Sequence, residues 1–315
     1  MDWHKQFDGV LLVDKPSGMS SHDVVQKVRH LLRQREVGHS GTLDPLSTGL
    51  LVLCVGKGTK ISQFLSAEFK TYIADVRFGV SSPTYDAEGV THDSEQRDVP
   101  LFTLEQLQTI LNDYLGLSIQ KVPPYSAVRV DGRHLYEMTR KGEAVKLPER
   151  EIEITEIELL SYEGPVMRFR LTCSSGTYVR SIANDIGERL GCGAYLSGLR
   201  RISVGEFAIE QAHTLEEIER AMADGANESV ILPISEALQF AQITLTAEAS
   251  RLVGFGRPPE WSDISAINGT FSRGEKLLAK DAAGQPIAVL VAGATSNDYK
   301  TGIGHPIESF VRVFA

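Results

Sequence analysis

The sequence predicts an α+β protein in two parts, and three observations lead there. Strand-like and helix-like segments are mixed along residues 1–246 without the regular βαβ alternation of a doubly wound sheet. Hydrophobic residues make up 42% and charged residues 23% of the 315, an ordinary globular balance, and that length favours two domains. After Ile243 the character changes: residues 247–315 read as short β-like pieces separated by Gly and Pro.

The elements follow in order. Residues 9–15 (GVLLVDK) read as a short buried strand closed by Pro16-Ser17-Gly18. Ser21 can cap the next helix, whose Val24, Val25, Val28, Leu31 and Leu32 share a face. A Gly/Ser-rich loop, Gly38 to Gly49, leads to the apolar run Leu50–Val55. Alternation over Tyr72–Phe78 predicts a strand. Thr103 with Gln106 makes a capping box ahead of Leu104, Leu107, Ile110 and Leu111. Asp131-Gly132 marks a hairpin. Residues 152–160 and 166–173 read as strands, and Gly176 leads into a helix carrying Val179, Ile182, Ala183, Ile186 and Leu190, closed by Gly191. A second capping box, Thr214 with Glu217, starts a helix with Leu215, Ile218 and Met222 inward. Beyond it Leu277–Leu278, Ile287–Val291 and Phe310–Phe314 are predicted strands.

Composition excludes several classes. No stretch approaches the ~20 apolar residues of a membrane span, and MDWHKQFDGVLLVDKP carries no apolar run of secretion-signal length. Cys54, Cys173 and Cys192 lie far apart, without zinc-like or CxxC spacing, so a reduced cytoplasmic protein is expected and a disulfide scaffold or metal site is not. The net charge is −9, but the stretch Glu206–Glu248 holds nine acids and one base and accounts for −8 of it. The body is therefore nearly neutral, which leaves room for a basic groove.

The densest segment for chemistry is VGHSGTLDPLSTGLLVLCV, residues 37–55. Asp44 sits there in a glycine-flanked loop before an apolar run, and Pro45 holds it out of the helical region. Asp followed by Pro is also how a helix begins, with Asp as the cap.

GHSGTLDPLSTGLL resembles the signature of TruB-type tRNA pseudouridine synthases, the pseudouridine-55 family. LLVDKPSGMSSHDVV resembles that family's N-terminal motif, and FKTYIADVRFG followed by TYDAEG resembles the next two. VPPYSAVRVDGRHLYEMTRKG and CSSGTYVRSIANDIGERLGCGAYLSGLRR complete the order over residues 9–205. Ser81-Ser82-Pro83 and Thr139 depart from the usual pattern in loop detail.

The resemblance implies a pseudouridine synthase fold: a central mixed, mainly antiparallel sheet with helices and inserted hairpins. It also implies a small β-rich PUA-like RNA-binding domain, placed at 247–315. The implied reaction isomerises uridine 55 in the T-loop of tRNA, breaking C1′–N1, rotating the uracil and rejoining it through C5, with no metal or organic cofactor. Asp44 inherits the catalytic carboxylate and Arg180, of GTYVRSI, its ionic partner. Tyr72 maps to the residue that stacks on the uracil, and Leu199 and Tyr178 to pocket walls. His39 maps to a residue that displaces the target base, and Lys15 and Asp86 to positions of site architecture. Arg129, Arg133, Arg140 and Lys141, with Tyr136 interleaved, resemble the RNA-contacting insertion. The expected partner is the tRNA T-stem-loop, with no membrane, no required protein partner and a monomeric enzyme.

Three other readings compete: an RNA-binding protein without catalysis, a guide-RNA-directed synthase acting inside a particle, and a glycosidase using Asp44. The presence of Asp44, Arg180 and Tyr72 argues against the first, and the motif order and lack of a basic tail against the second. The third lacks a second well-placed acid.

Overall fold

The computed structural model describes residues 7–314. The N-terminal stretch MDWHKQFDGVLLVDKP, expected to carry no secretion-signal run, lies partly outside the described residues, since 1–6 are not among them. In chain order the strands begin with β1 (Gly9–Lys15), β2 (Val37–His39), β3 (Thr48–Val55), β4 (Lys70–Phe78) and β5 (Gly116–Lys121). They continue with β6 (Arg129–Val130), β7 (Arg133–His134), β8 (Glu149–Glu163), β9 (Val166–Cys173) and β10 (Ala194–Val204). Short strands β11 (Phe207–Ala208) and β12 (Ile231–Leu232) follow. The last five are β13 (Ala241–Leu245), β14 (Ile264–Asn268), β15 (Lys276–Lys280), β16 (Pro286–Ala292) and β17 (Ile307–Val313). The helices are α1 (Ser21–Leu32), α2 (Ser62–Ala67), α3 (Leu104–Asn112), α4 (Leu135–Arg140), α5 (Val179–Leu190), α6 (Leu215–Ala223), α7 (Ile234–Ala237) and α8 (Ala247–Gly254).

Among the described residues, one ten-stranded sheet carries most of the chain in the order β12-β1-β3-β10-β4-β9-β8-β5, with β2 on β3 and β11 on β10. Its pairings are antiparallel except where β3 meets β10. That parallel contact pairs Thr48 with Arg200 and Gly49 with Arg201. Only glycine fits there: Gly49 has φ +97, and an added Cβ would meet the Arg201 carbonyl oxygen at 2.2 Å. Helices α1, α3, α5 and α6 pack their apolar faces on one side of the sheet, around Val24, Leu107, Ile182 and Ile218. Gly187 lets α5 lie against β10, where a Cβ would stand 2.1 Å from the Ala194 nitrogen.

Ser20, not Ser21, caps α1, and it forms a capping box with Asp23. Ser21 is the first helical residue and is buried. The hairpin at Asp131-Gly132 forms as expected, with both residues at positive φ, +51 and +80. It joins β6 to β7 and runs into α4.

The second sheet, order β14-β13-β15-β16-β17, opens with β13, upstream of residue 247, and includes the three strands expected near the C-terminus. Its inward residues Leu278 and Val289, with Phe314, share one apolar cluster with Val10, Leu12, Leu50 and Val52 of the first sheet. Among the described residues no helix is long and apolar enough to cross a membrane.

Candidate active site

The Asp44 loop is pinned from below. Ser21 Oγ donates to the Leu43 carbonyl at 2.9 Å and accepts from the Leu43 N–H at 2.8 Å. The buried Lys15 ammonium donates to the carbonyls of Pro16 (2.9 Å), Met19 (2.6 Å) and Pro45 (3.3 Å). The Gly18 N–H also donates to Pro45, at 2.8 Å. From the sheet side Arg201 reaches Gly41 (Nη2 to O, 3.1 Å) and Leu50 (Nε to O, 2.7 Å). No helix follows Asp44; Ser47 N–H closes a turn on its carbonyl at 3.0 Å. The loop backbone is thus held while the Asp44 carboxylate stays 44% exposed.

Arg180, in the first turn of α5, faces that carboxylate. Its Nη2 lies 3.7 Å from Asp44 Oδ2 and donates to the Tyr125 carbonyl at 2.9 Å, and its Nη1 donates to Asp86 Oδ2 at 3.1 Å. Arg180 and Asp86 are both buried, and a buried charge needs such a partner. Asp86 is fixed in turn by the Thr84 hydroxyl (2.5 Å) and the Glu88 N–H (3.1 Å). One guanidinium therefore holds two carboxylates, a buried one at hydrogen-bond distance and an exposed one slightly farther off.

A cleft of about 320 Å³, at the small end of ligand pockets, opens in front of Asp44. Tyr72, Lys70, Leu196, Leu199 and Arg201 line it from the sheet, and Thr177 to Arg180 line it from the start of α5. Tyr72 and Arg201 are paired neighbours on β4 and β10. Burial raises the Tyr72 phenol's pKa, so it stays protonated. Lys70 donates to the carbonyls of Ser66 (2.9 Å) and Glu68 (2.6 Å), and burial, helped by the Arg201 charge, lowers its pKa to about 8. The Tyr178 ring has two guanidiniums near it, with Arg150 Cζ at 5.2 Å and Arg180 Cζ at 5.6 Å from its centroid.

Residues 29–179 match the N-terminal domain of TruB family pseudouridylate synthases, and residues 180–239 match the tRNA pseudouridylate synthase B C-terminal domain. A protein of Xanthomonas campestris pv. campestris (strain B100) named tRNA pseudouridine synthase B is 45% identical over 241 residues, 76% of this chain and 78% of its own length. One of the same name from Bacillus cytotoxicus is 45% identical over 258 residues, covering 79% of this chain and 83% of its own. This chain belongs to the TruB family. Among solved structures, 98% of the chain superposes on 85% of a chain from an H/ACA RNP bound to a substrate RNA containing 2'-deoxyuridine, at TM-score 0.72 and 25% identity. A Cbf5-Nop10-Gar1 complex gives TM-score 0.71 at 26% identity with the same coverage.

Of the residues that the TruB resemblance singled out, Asp44, Arg180, Tyr72, Tyr178 and Leu199 line the one cleft. Asp86 and Lys15 do not line it. Asp86 lies behind Arg180, and Lys15 lies beneath the loop, so they hold the two ends of the Asp44–Arg180 contact. His39 closes β2 just ahead of the lining residue Ser40. Its pKa is lowered by burial first and by the Arg201 and His22 charges after, so it is neutral at pH 7. Three further lining residues, Lys70, Arg150 and Arg201, were not singled out from the sequence. A signal for Lys70 was present, because it stands two positions from Tyr72 on one strand and so shares its face. Among the described residues no group of three or more His, Cys, Asp or Glu could hold a metal ion.

Proposed function

We propose that this chain isomerises uridine 55 in the T-loop of tRNA to pseudouridine, with Asp44 as the catalytic carboxylate. The observation that carries the reading is the Asp44–Arg180–Asp86 arrangement: an exposed carboxylate at a cleft mouth, 3.7 Å from a buried guanidinium anchored elsewhere. The relatives' name, tRNA pseudouridine synthase B, supplies the substrate class.

The uridine is flipped out of the loop into the cleft, where the Tyr72 ring offers a stacking face worth about 1–3 kcal/mol. Leu199 and Tyr178 wall the base, and His39 helps displace it from the loop. Asp44 acts on the base, on the ribose carbon or on a ribose proton, and each route needs it ionised. Arg180 supplies the opposite charge and fixes its direction. The C1′–N1 bond breaks, the uracil turns, C5 bonds to C1′, and the C5 proton leaves as N1 gains one. The product is an isomer of the substrate, so no co-reactant is consumed.

The hairpin β6–β7 with α4 carries Arg129, Arg133 and Arg140 toward the RNA backbone, and the C-terminal sheet adds a second RNA-binding surface. The enzyme works in the cytoplasm as a monomer with no protein partner and no cofactor. A bare T-arm hairpin transcript treated with the purified protein alone should yield pseudouridine at the position of uridine 55. A requirement for a guide RNA or for added proteins would place the chain with particle-bound synthases instead, and binding without product would make it an RNA-binding protein.

A further inference from the structure

We infer that Gln120 is a positioning residue for this reaction, acting through the backbone of Tyr178, and the inference rests on the function proposed above. Gln120 lies on β5, the outer strand of the main sheet. Its strand neighbours Leu117, Ser118, Ile119 and Lys121 are exposed, whereas Gln120 itself is only 6% exposed. A buried side-chain amide has to find partners, and this one spends both ends on a single residue far along the chain. Gln120 Nε2 donates to the Tyr178 carbonyl at 3.0 Å, and Gln120 Oε1 accepts from the Tyr178 N–H at 2.8 Å. The side chain thereby copies the paired bonds that two antiparallel strands exchange.

Tyr178 is the N-cap of α5, and no side chain caps that helix. Its backbone conformation (φ −99, ψ 104) is therefore held from outside, by Gln120. That conformation sets the ring near Arg150 and Arg180 on the wall of the cleft. The same stretch of chain grips the first turn of α5 at two further points. Lys121 O accepts from Ser181 Oγ at 3.3 Å, and Tyr125 O accepts from Arg180 Nη2 at 2.9 Å. Gln120 thus ties the end of the edge strand to Tyr178, while Lys121 and Tyr125 hold the residues that follow it. A leucine would fill the same space but would leave the Tyr178 N–H and C=O without these bonds.

The test is single-turnover modification of a T-arm hairpin at saturating enzyme, with Kd measured by filter binding. Gln120→Ala should lower the rate by about 10–100-fold, the scale of a 1 Å misplacement, and leave Kd within about 3-fold. Gln120→Glu keeps an acceptor for the Tyr178 N–H and loses the donor, so its rate should fall between wild type and Gln120→Ala. Because the effect runs through Tyr178, Gln120→Ala added to Tyr178→Ala should slow the reaction by no more than about 2-fold beyond Tyr178→Ala alone. A general loss of packing would instead multiply the two defects. Multiplying defects, a wild-type rate in Gln120→Ala, or a loss confined to Kd would each overturn the inference while the proposed activity stands. A wild-type protein that makes no pseudouridine would overturn both.

Discussion

Asp44→Asn separates what the carboxylate does for the reaction from what it does for the fold. The swap keeps the side chain's shape and removes its charge. At the 3.7 Å between Asp44 and Arg180 the gross attraction lies between about 1 kcal/mol in water and about 4 kcal/mol at an effective dielectric of 20. Asp44 is 44% exposed, so the net contribution to stability belongs with surface pairs, about 0–1 kcal/mol. Arg180 keeps Asp86 at 3.1 Å and the Tyr125 carbonyl at 2.9 Å and is not stranded. The melting temperature should therefore shift by about 2–4 °C at most. The rate should behave very differently, because losing a nucleophilic or basic group costs roughly 10⁴–10⁶. Tritium release from tRNA labelled at uridine C5, run beside filter binding and a thermal melt, measures all three quantities. Appreciable release by the folded variant would reduce Asp44 to a loop residue. A stability loss near the 3–5 kcal/mol of a broken buried pair would show that the exposed carboxylate had been misread.

Asp86→Asn should show the converse balance: it removes the buried partner of Arg180 and should cost up to about 3–5 kcal/mol in urea unfolding, more than Asp44→Asn. Tyr72→Ala should slow single turnover by more than the ~1–3 kcal/mol of one stack, whereas Tyr72→Phe, which keeps the ring, should retain most of the rate; equal rates for the two would deny the stacking role. Lys70 titrates at about 8 when folded against 10.5 ordinarily, so the folded state releases its proton first and stability should rise as pH climbs through that window. Lys70→Met should abolish the rise in urea midpoints measured across it.

The sequence was most legible where signals are local. The capping boxes at Thr103/Gln106 and Thr214/Glu217 formed as read, and so did the Asp131-Gly132 turn. Helix α5 likewise spans the expected face and ends at Gly191. Strand β10 went unread because two register shifts, after Leu196 and after Arg201, break its alternation, and because its polar residues face a cleft. Strand β5 is inverted, with Leu117 and Ile119 outward and Gln120 inward, so hydrophobic pattern pointed away from it. The short α8, capped by Thr246, fell in a stretch that read as β-like. The contact between Asp44 and Arg180 was invisible to pattern altogether. Asp44 and Arg180 stand far apart in the chain, and Asp followed by Pro also reads as a helix cap. Family resemblance brought those two together, but the second partner of Arg180, Asp86 94 positions away, was not foreseen.

The apolar cluster that joins the two sheets makes the C-terminal part a poor exchangeable cassette. A cut between residues 246 and 247 would part β13 from β14 and β15 and lift Leu278, Val289 and Phe314 off Val10 and Leu12. β1, which carries Leu12, also carries the Lys15 whose ammonium props the Asp44 loop. Lineages or engineers that trim or swap this module must therefore repair a seam reaching to the strand under the Asp44 loop. Grafts that keep the seam residues and vary the outward face of β17 would leave that strand undisturbed.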